Sequence, residues 1–95
     1  MSYLIYSKGI ECPACMKAKE ALNENQIDFV EVLISPTFPK EKMVELVLNK
    51  TGLTVNTVPQ IFMTEDKTES YIGGYTDLVK HLLSQQKNDY NEFKL

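Results

Sequence analysis

The sequence predicts an α/β domain with the element order β-α-β-α-β-β-α and a four-stranded mixed sheet flanked by helices. Short apolar runs rich in β-branched and aromatic residues alternate with segments of helical periodicity, and proline and glycine separate them. The last two apolar runs are joined by a tight turn. The chain has 95 residues, which is the length of one small domain, and 43% of them are hydrophobic, which is enough for a core.

The first strand and the first helix have the clearest patterns. The run YLIY at residues 3–6 predicts the first strand. From residue 13 to about residue 25 the pattern becomes helical, and Pro13 suits the first turn, where a missing N–H costs no hydrogen bond. One face of this helix carries its apolar residues, which are Cys15, Ala18 and Leu22.

Two prolines separate the second strand from the second helix. The run IDFVEVLI at residues 27–34 predicts the strand, and Pro36 and Pro39 end it. Residues 39–52 predict the helix, with Gly52 suited to the position just after the last turn. The apolar side of this helix consists of Met43, Leu46 and Val47.

A hairpin and a third helix complete the pattern. Residues 58–64 and 68–73 predict the third and fourth strands, and the tight turn between them makes the pair antiparallel. Residues 75–86 predict the last helix, with Asp77 in its positively polarised first turn. Because a helix separates the first two strands, we expect these to run parallel through a right-handed crossover.

Charge and hydropathy exclude several classes of function. The net charge is −3, and the ten basic residues are scattered among thirteen acidic ones, so we predict no nucleic-acid partner and no membrane partner. The N-terminus lacks a signal-peptide pattern and no apolar run reaches membrane-spanning length, which favours the cytoplasm. Residues 1–86 are predicted to form the domain and residues 87–95 a polar tail.

Both cysteines lie in one motif at the start of the first predicted helix. The spacing in Cys12-Pro13-Ala14-Cys15 places Cys12 at the N-cap and Cys15 at about the third helical position, so the two sulfurs lie within bonding reach. Near a β-α-β pattern, such a pair is typical of redox proteins with the thioredoxin-like fold. We therefore expect this α/β fold.

The helix start predicts different roles for the two cysteines. Unpaired N–H groups and the helix dipole stabilise a thiolate at Cys12, so its pKa is expected to fall from about 8.5 toward about 3.5–7.5. Lys8 adds positive charge nearby. Cys15 is expected to be buried and protonated. Cys12 is thus predicted to attack a disulfide, and Cys15 to resolve the mixed disulfide.

Three other interpretations of the pair fit the sequence less well. Zinc requires about four ligands, whereas the chain offers two cysteines and His81, which has no neighbour at ligand spacing, so we predict no metal site. A structural disulfide across one helical turn closes a very short loop and stabilises little. Two inert buried cysteines also fit, since free cysteine often packs as a small hydrophobe.

Two further segments resemble a known family. The sequence TVP at residues 57–59 precedes the third strand, and GGYTD at residues 73–77 precedes the last helix. The double glycine offers bare N–H groups to a carboxylate, or simply forms a turn. Together with Lys8 and the C-P-x-C pair, in this order, these segments resemble the glutaredoxin family over nearly the whole domain. The W-C-G-P-C motif of thioredoxins is absent.

The resemblance implies glutathione as electron-donating co-substrate and no permanently bound cofactor. Cys12 would accept the glutathionyl group. A cis Pro59 would expose the Val58 N–H and C=O to strand-like pairing with the cysteinyl segment of glutathione. Lys8 would meet the glycine carboxylate, and Asp77 with its neighbour Thr76 would hold the γ-glutamyl end. The glutathione-binding residues implied in this way are Lys8, Thr57, Val58, Pro59, Gly74, Thr76 and Asp77.

The resemblance also suggests partners. We expect a monomer that acts on disulfide-containing client proteins, with ribonucleotide reductase as one candidate. Ala14 stands where many family members have tyrosine, so the affinity for glutathione is expected to differ. Two alternative functions stay open, namely a redoxin reduced by a flavoprotein thioredoxin reductase and a module that binds a glutathione-ligated [2Fe–2S] cluster.

Overall fold

The computed structural model describes residues 2–94, and it describes side chains for residues 2–85. The predicted order of strands and helices is confirmed. The elements are β1 (Ser2–Ser7), a 3₁₀ turn (Gly9–Glu11), α1 (Pro13–Glu24), β2 (Phe29–Leu33), α2 (Lys40–Thr51), β3 (Gln60–Glu65), β4 (Thr68–Gly73) and α3 (Tyr75–Lys94). The predicted domain boundary at residue 86 falls within α3. The side chains of the predicted tail lie outside the described residues, and that division stays a prediction.

The four strands form one mixed sheet in the order β2-β1-β3-β4. Strand β1 pairs in parallel with β2, with Tyr3 opposite Phe29, as the intervening helix predicts. Strand β3 runs antiparallel to both β1 and β4. This mixed sheet flanked by helices is the predicted thioredoxin-like fold. The order places β1 and β3 in the centre, so the residues at the ends of these two strands lie close together.

Side chains on the two faces of the sheet form two separate cores. Successive residues of a strand point to opposite faces, so Ile5 and Tyr6 enter different cores, as do Ile61 and Phe62. One face is covered by α1 and α3 through Ala18, Leu22, Leu78 and Leu82, and the other by α2 through Met43 and Val47. Full burial of one such large apolar side chain stabilises the fold by about 1.5–3 kcal/mol.

The second strand begins two residues later than the sequence pattern predicts. Gln26 adopts a left-handed conformation (φ 57°), and its N–H donates to the Asn23 carbonyl at 3.0 Å. The Ile27 N–H donates to the Leu22 carbonyl at 2.9 Å, and Ile27 also packs against the core that contains Leu22. These contacts form a Schellman motif that ends α1. Ile27 therefore closes the helix, and β2 begins at Phe29.

A hydrogen-bonded chain fixes the segment between β1 and α1, including a 3₁₀ turn that the sequence did not predict. The Ser7 hydroxyl is fully buried, donates to the Glu31 carboxylate on β2 and accepts from the Gly9 N–H at 2.9 Å. The Gly9 carbonyl in turn accepts from the Cys12 N–H at 3.1 Å. The carboxylate of a neighbouring strand thus helps to fix the backbone that leads into the cysteine motif.

Glu31 links stability to pH. Its carboxylate also pairs with the Lys19 ammonium at 2.9 Å, and both side chains are largely shielded from solvent. Partial burial alone raises the pKa of Glu31, but the hydrogen bonds from Ser7 and Lys19 and the charge of Lys19 outweigh it, so the net pKa lies below the usual value. A carboxyl group of this kind stabilises the fold above its unfolded pKa of about 4.3, and that contribution is lost as the pH falls through its lowered folded value.

We expect Glu31→Gln to lower the free energy of unfolding by about 1 kcal/mol at neutral pH, because the charged interactions are lost. The difference from the unchanged protein should shrink as the pH falls through the lowered folded pKa of Glu31, below which both side chains are neutral. Urea titrations at several pH values measure this. Glu20→Gln, at an exposed carboxylate on α1, is the matched control and should show little difference at any pH. A Glu31→Gln difference that does not change with pH would contradict the assignment.

Candidate active site

The cysteine pair lies at the first turn of α1. Cys12 is the N-cap, Cys15 is the third helical residue, and the two are joined as a disulfide with their Cα atoms 5.1 Å apart. The Cys15 N–H donates to the Cys12 sulfur at 3.1 Å. Pro13 occupies the first helical position. The spacing in the sequence therefore predicts the local geometry correctly, because both cysteines belong to one helical turn.

The two sulfurs differ in their access to solvent. Cys12 retains 9% of its surface exposed, whereas Cys15 is completely buried beside Ala18 and Leu22 on the inner face of α1. The Cys15 N–H and the positive end of the helix dipole are both directed at the Cys12 sulfur. These groups favour an anion at that position. An incoming molecule can therefore reach Cys12 first, and the helix stabilises negative charge there.

The segment Thr57-Val58-Pro59 lies beside the cysteine pair. The Cys12 sulfur is 3.8 Å from the Val58 carbonyl oxygen, and the Val58–Pro59 peptide bond is cis. Pro59 is buried and immediately precedes β3. Within the described part of the chain, no group accepts a hydrogen bond from the Val58 N–H. The polar backbone of Val58 is therefore available next to the reactive sulfur.

The double-glycine segment adjoins this backbone. A Cβ atom added to Gly74 would lie 3.7 Å from the Pro59 carbonyl oxygen, so the two segments are neighbours. Gly73 has a φ of 120°, a conformation that residues with a side chain rarely adopt. The Asp77 carboxylate accepts from the Gly74 N–H at 3.0 Å. The Gly74 N–H is thus paired within the chain, because Asp77 caps the start of α3.

Three side chains implied by the resemblance to glutaredoxins are exposed to solvent. Lys8 immediately precedes the 3₁₀ turn, and Thr76 and Asp77 lie in the first turn of α3. Among the residues that the structure describes, Lys8 forms no ion pair, so its ammonium group is free to bind an anion. The structure brings Cys12, Val58, Pro59 and Gly74 together, but among the residues that it describes no hydrogen bond joins Lys8 or Thr76 to this group.

Sequence reasoning missed two residues beside the site. Gln60, which is 2% exposed, donates from its amide nitrogen to the Thr57 carbonyl at 2.9 Å. Its amide oxygen accepts from the Tyr71 hydroxyl on β4. The available signal was a glutamine inside the apolar run that predicts the third strand. Such a residue, if buried, needs hydrogen-bond partners.

The fold and the cysteine pair define a thioredoxin-like dithiol protein. A model of the glutaredoxin family matches residues 4–67, which include both cysteines and Pro59. The chain belongs to the glutaredoxin family, a family of thiol–disulfide oxidoreductases.

Individual relatives agree with this assignment. The chain is 37% identical over 75 residues to glutaredoxin 1 of Rickettsia typhi. The matched segment covers 79% of this chain and 64% of that protein, which is somewhat less than two thirds of the relative's length. The crystal structure of Francisella tularensis glutaredoxin 1 superposes with a TM-score of 0.70 and 31% identity, covering 90% of this chain and 96% of that one. The structure of an E. coli glutaredoxin superposes with a TM-score of 0.57 and 30% sequence identity, and it also covers 90% of this chain and 96% of that one.

The described residues contain neither a membrane-spanning helix nor a cluster of metal-ligand side chains. None of the helices within them has the length and apolar character needed to cross a membrane. In the same part of the chain, no three side chains among histidine, cysteine, aspartate and glutamate converge as metal ligands would.

We expect Asp77→Ala to lower the free energy of unfolding by about 1 kcal/mol, because the Gly74 N–H at the start of α3 loses its acceptor. Asp77→Asn keeps an oxygen at this position and should retain most of the stability. Urea denaturation of the two variants and the unchanged protein measures the effect. If the alanine variant is as stable as the unchanged protein, the Asp77 carboxylate does not cap the helix in solution.

Proposed function

We propose that this protein is a glutathione-dependent thiol–disulfide oxidoreductase that acts on protein disulfides and on glutathione mixed disulfides. The observation that carries the proposal is the placement of the Cys12 sulfur, which accepts a hydrogen bond at the start of α1 and lies 3.8 Å from the available Val58 backbone. Membership of the glutaredoxin family supports the same chemistry.

The reduction of a protein disulfide proceeds in two exchanges. The Cys12 thiolate attacks one sulfur of the client disulfide, which forms a mixed disulfide and releases the other client sulfur as a thiolate that takes up a proton. Cys15 then loses its proton and attacks Cys12. The client leaves as a dithiol. The protein has given up two electrons and now contains the Cys12–Cys15 disulfide. This is the state in which the structure holds the pair.

Glutathione restores the dithiol by the reverse chemistry. One glutathione thiolate attacks Cys12, which forms a mixed disulfide at this residue and releases Cys15 as a thiol. A second glutathione attacks the glutathionyl sulfur, so the products are glutathione disulfide and reduced Cys12. Two electrons thus pass from two glutathione molecules to the protein. A glutathionylated client needs only Cys12, because its glutathionyl group moves directly to that sulfur.

The neighbouring groups are suited to a short peptide with charged ends. The Val58 N–H and C=O can pair with the cysteinyl residue of glutathione, which holds its sulfur near Cys12. The exposed ammonium of Lys8 is suited to the glycine carboxylate. The exposed first turn of α3, with Thr76 and Asp77, is suited to the γ-glutamyl end, whose ammonium group Asp77 can bind.

The site also limits what kind of client it can serve. Cys12 is only 9% exposed, so a client disulfide must itself be accessible and protrude into the site. We propose that the protein acts as a monomer in the cytoplasm and that its clients include oxidised thiol enzymes, with ribonucleotide reductase as one candidate.

We expect Cys12→Ser to abolish both activities, because the attacking sulfur is lost. Cys15→Ser should lose the reduction of protein disulfides but retain deglutathionylation, since that reaction needs one sulfur. After treatment with glutathione disulfide, mass spectrometry of the Cys15→Ser protein should show a single glutathionyl group, located on Cys12. Loss of both activities in Cys15→Ser, with both retained in Cys12→Ser, would reverse the assigned roles.

The electron donor is tested with the unchanged protein in its oxidised form. We expect reduction by glutathione, coupled to glutathione reductase, to be faster than reduction by a flavoprotein thioredoxin reductase with its nicotinamide substrate. If reduction by the thioredoxin reductase is faster, this reductase and not glutathione is the electron donor. The dithiol chemistry of Cys12 and Cys15 would be unaffected.

The first turn of α1 also predicts the reactivity of reduced Cys12 as a function of pH. Because the Cys15 N–H and the helix dipole favour the thiolate, the rate of alkylation by iodoacetamide should have its midpoint at least about one pH unit below the value of about 8.5 for free cysteine. Peptide mapping identifies the alkylated residue, and Cys15→Ser removes the competing thiol. A midpoint near 8.5 would rule out activation by the helix.

A further inference from the structure

The side chain of Gln60 connects the site to the edge strand β4. Its amide nitrogen donates to the Thr57 carbonyl at 2.9 Å and lies 3.4 Å from the Thr57 hydroxyl oxygen, and its amide oxygen accepts from the Tyr71 hydroxyl. With 2% of its surface exposed, Gln60 is one of two buried polar residues in the described part of the chain. Water therefore cannot readily replace these partners.

Thr57 determines which way this amide points, and Tyr71 stabilises the same orientation. Both Thr57 atoms that face Gln60 are oxygens, and one of them, the carbonyl, can only accept, so the amide must present its NH₂ group there. The Tyr71 hydroxyl donates to the amide oxygen on the opposite side, which stabilises the same orientation. The Tyr71 ring is held in place by Phe62, with the ring centroids 5.2 Å apart.

The hydroxyl keeps its proton under neutral conditions. Burial raises the pKa of Tyr71 above its usual value, and the negative charge of Asp77 raises it further. Tyr71 lies on β4, which leads through Gly73 and Gly74 into α3.

We propose that Gln60 and Tyr71 are positioning residues that hold the Thr57–Val58 backbone in register for a peptide-like disulfide substrate. The inference rests on the proposed function, because the backbone of Val58 is where glutathione is proposed to pair. Gln60 holds the Thr57 carbonyl, which belongs to the peptide unit whose nitrogen is the Val58 N–H. A change in the orientation of the Gln60 side-chain amide therefore rotates the Val58 N–H that is offered to the substrate.

This role predicts a loss of substrate preference and little change in chemistry. A disulfide that lacks peptide groups, such as 2-hydroxyethyl disulfide, reacts with Cys12 without pairing to Val58. Glutathione disulfide requires that pairing for its orientation. The ratio of the two second-order rate constants therefore reports the register of the Val58 backbone, separately from the nucleophilicity of the Cys12 sulfur.

The test uses Tyr71→Phe, which removes the hydroxyl and keeps the ring on Phe62. We expect the rate-constant ratio, glutathione disulfide over 2-hydroxyethyl disulfide, to fall about fivefold to tenfold, the effect of one lost hydrogen bond. The pH midpoint for Cys12 alkylation should stay the same. The matched control is Tyr6→Phe, since Tyr6 packs in the same core and its hydroxyl forms no hydrogen bond with the described residues. The control should keep the ratio of the unchanged protein.

A second substitution tests whether Tyr71 acts through Gln60. In a Gln60→Met background, which removes the amide and keeps a side chain of similar length, adding Tyr71→Phe should not lower the ratio further. Equal effects of Tyr71→Phe in both backgrounds would overturn the link. So would an unchanged ratio in Tyr71→Phe alone, or an equal slowing of both disulfides.

Failure of the proposed function gives a different result. If the unchanged protein shows no preference for glutathione disulfide over 2-hydroxyethyl disulfide, glutathione recognition at Val58 is wrong, and the positioning role is overturned with it. If the unchanged protein shows the preference and Tyr71→Phe retains it, the proposed function stands and only the roles of Gln60 and Tyr71 are wrong.

Discussion

The hydrogen bond from the Cys15 N–H to the Cys12 sulfur is the interaction on which the chemistry of this fold depends. It forms because both residues belong to the first turn of α1, where N–H groups lack partners within the helix. The same turn brings the two sulfurs within bonding distance and places Cys15 on the buried face. One local geometry thus provides an anion-stabilising site, a reactive sulfur and a shielded second sulfur.

Long-range contacts determine where this turn lies. Strand β1 is central in the sheet and leads directly to the cysteine motif, while β3 runs antiparallel beside it, so the start of β3 meets the end of β1. This pairing brings the Val58 carbonyl to 3.8 Å from the Cys12 sulfur. On the other side of β1, hydrogen bonds connect Glu31 of β2 to Ser7 and Ser7 to Gly9. They fix the segment that leads into α1. The site is therefore held from both adjacent strands.

The features that the sequence predicted depend on neighbouring residues, whereas the missed partners of two buried or shielded side chains depend on strand order. The positions of Cys12 and Cys15 follow from a spacing of three residues, and the order of elements follows from periodicity. Tyr71 lies 11 residues from its partner Gln60, and Ser7 lies 24 residues from its partner Glu31, so these pairs can be named only once the sheet is assembled. The start of β2 was misplaced because Ile27, although apolar and β-branched, packs as the end of a Schellman motif.

The self-capped start of α3 is compatible with its proposed role in binding. An ionised carboxylate offers about four acceptor sites on two oxygens, and the Gly74 N–H occupies one of them. A substrate ammonium group can therefore bind Asp77 without breaking the cap, and the cap holds the carboxylate in a defined position. Because the Gly74 N–H is already paired and the Asp77 carboxylate is exposed, the start of α3 is suited to a substrate ammonium group.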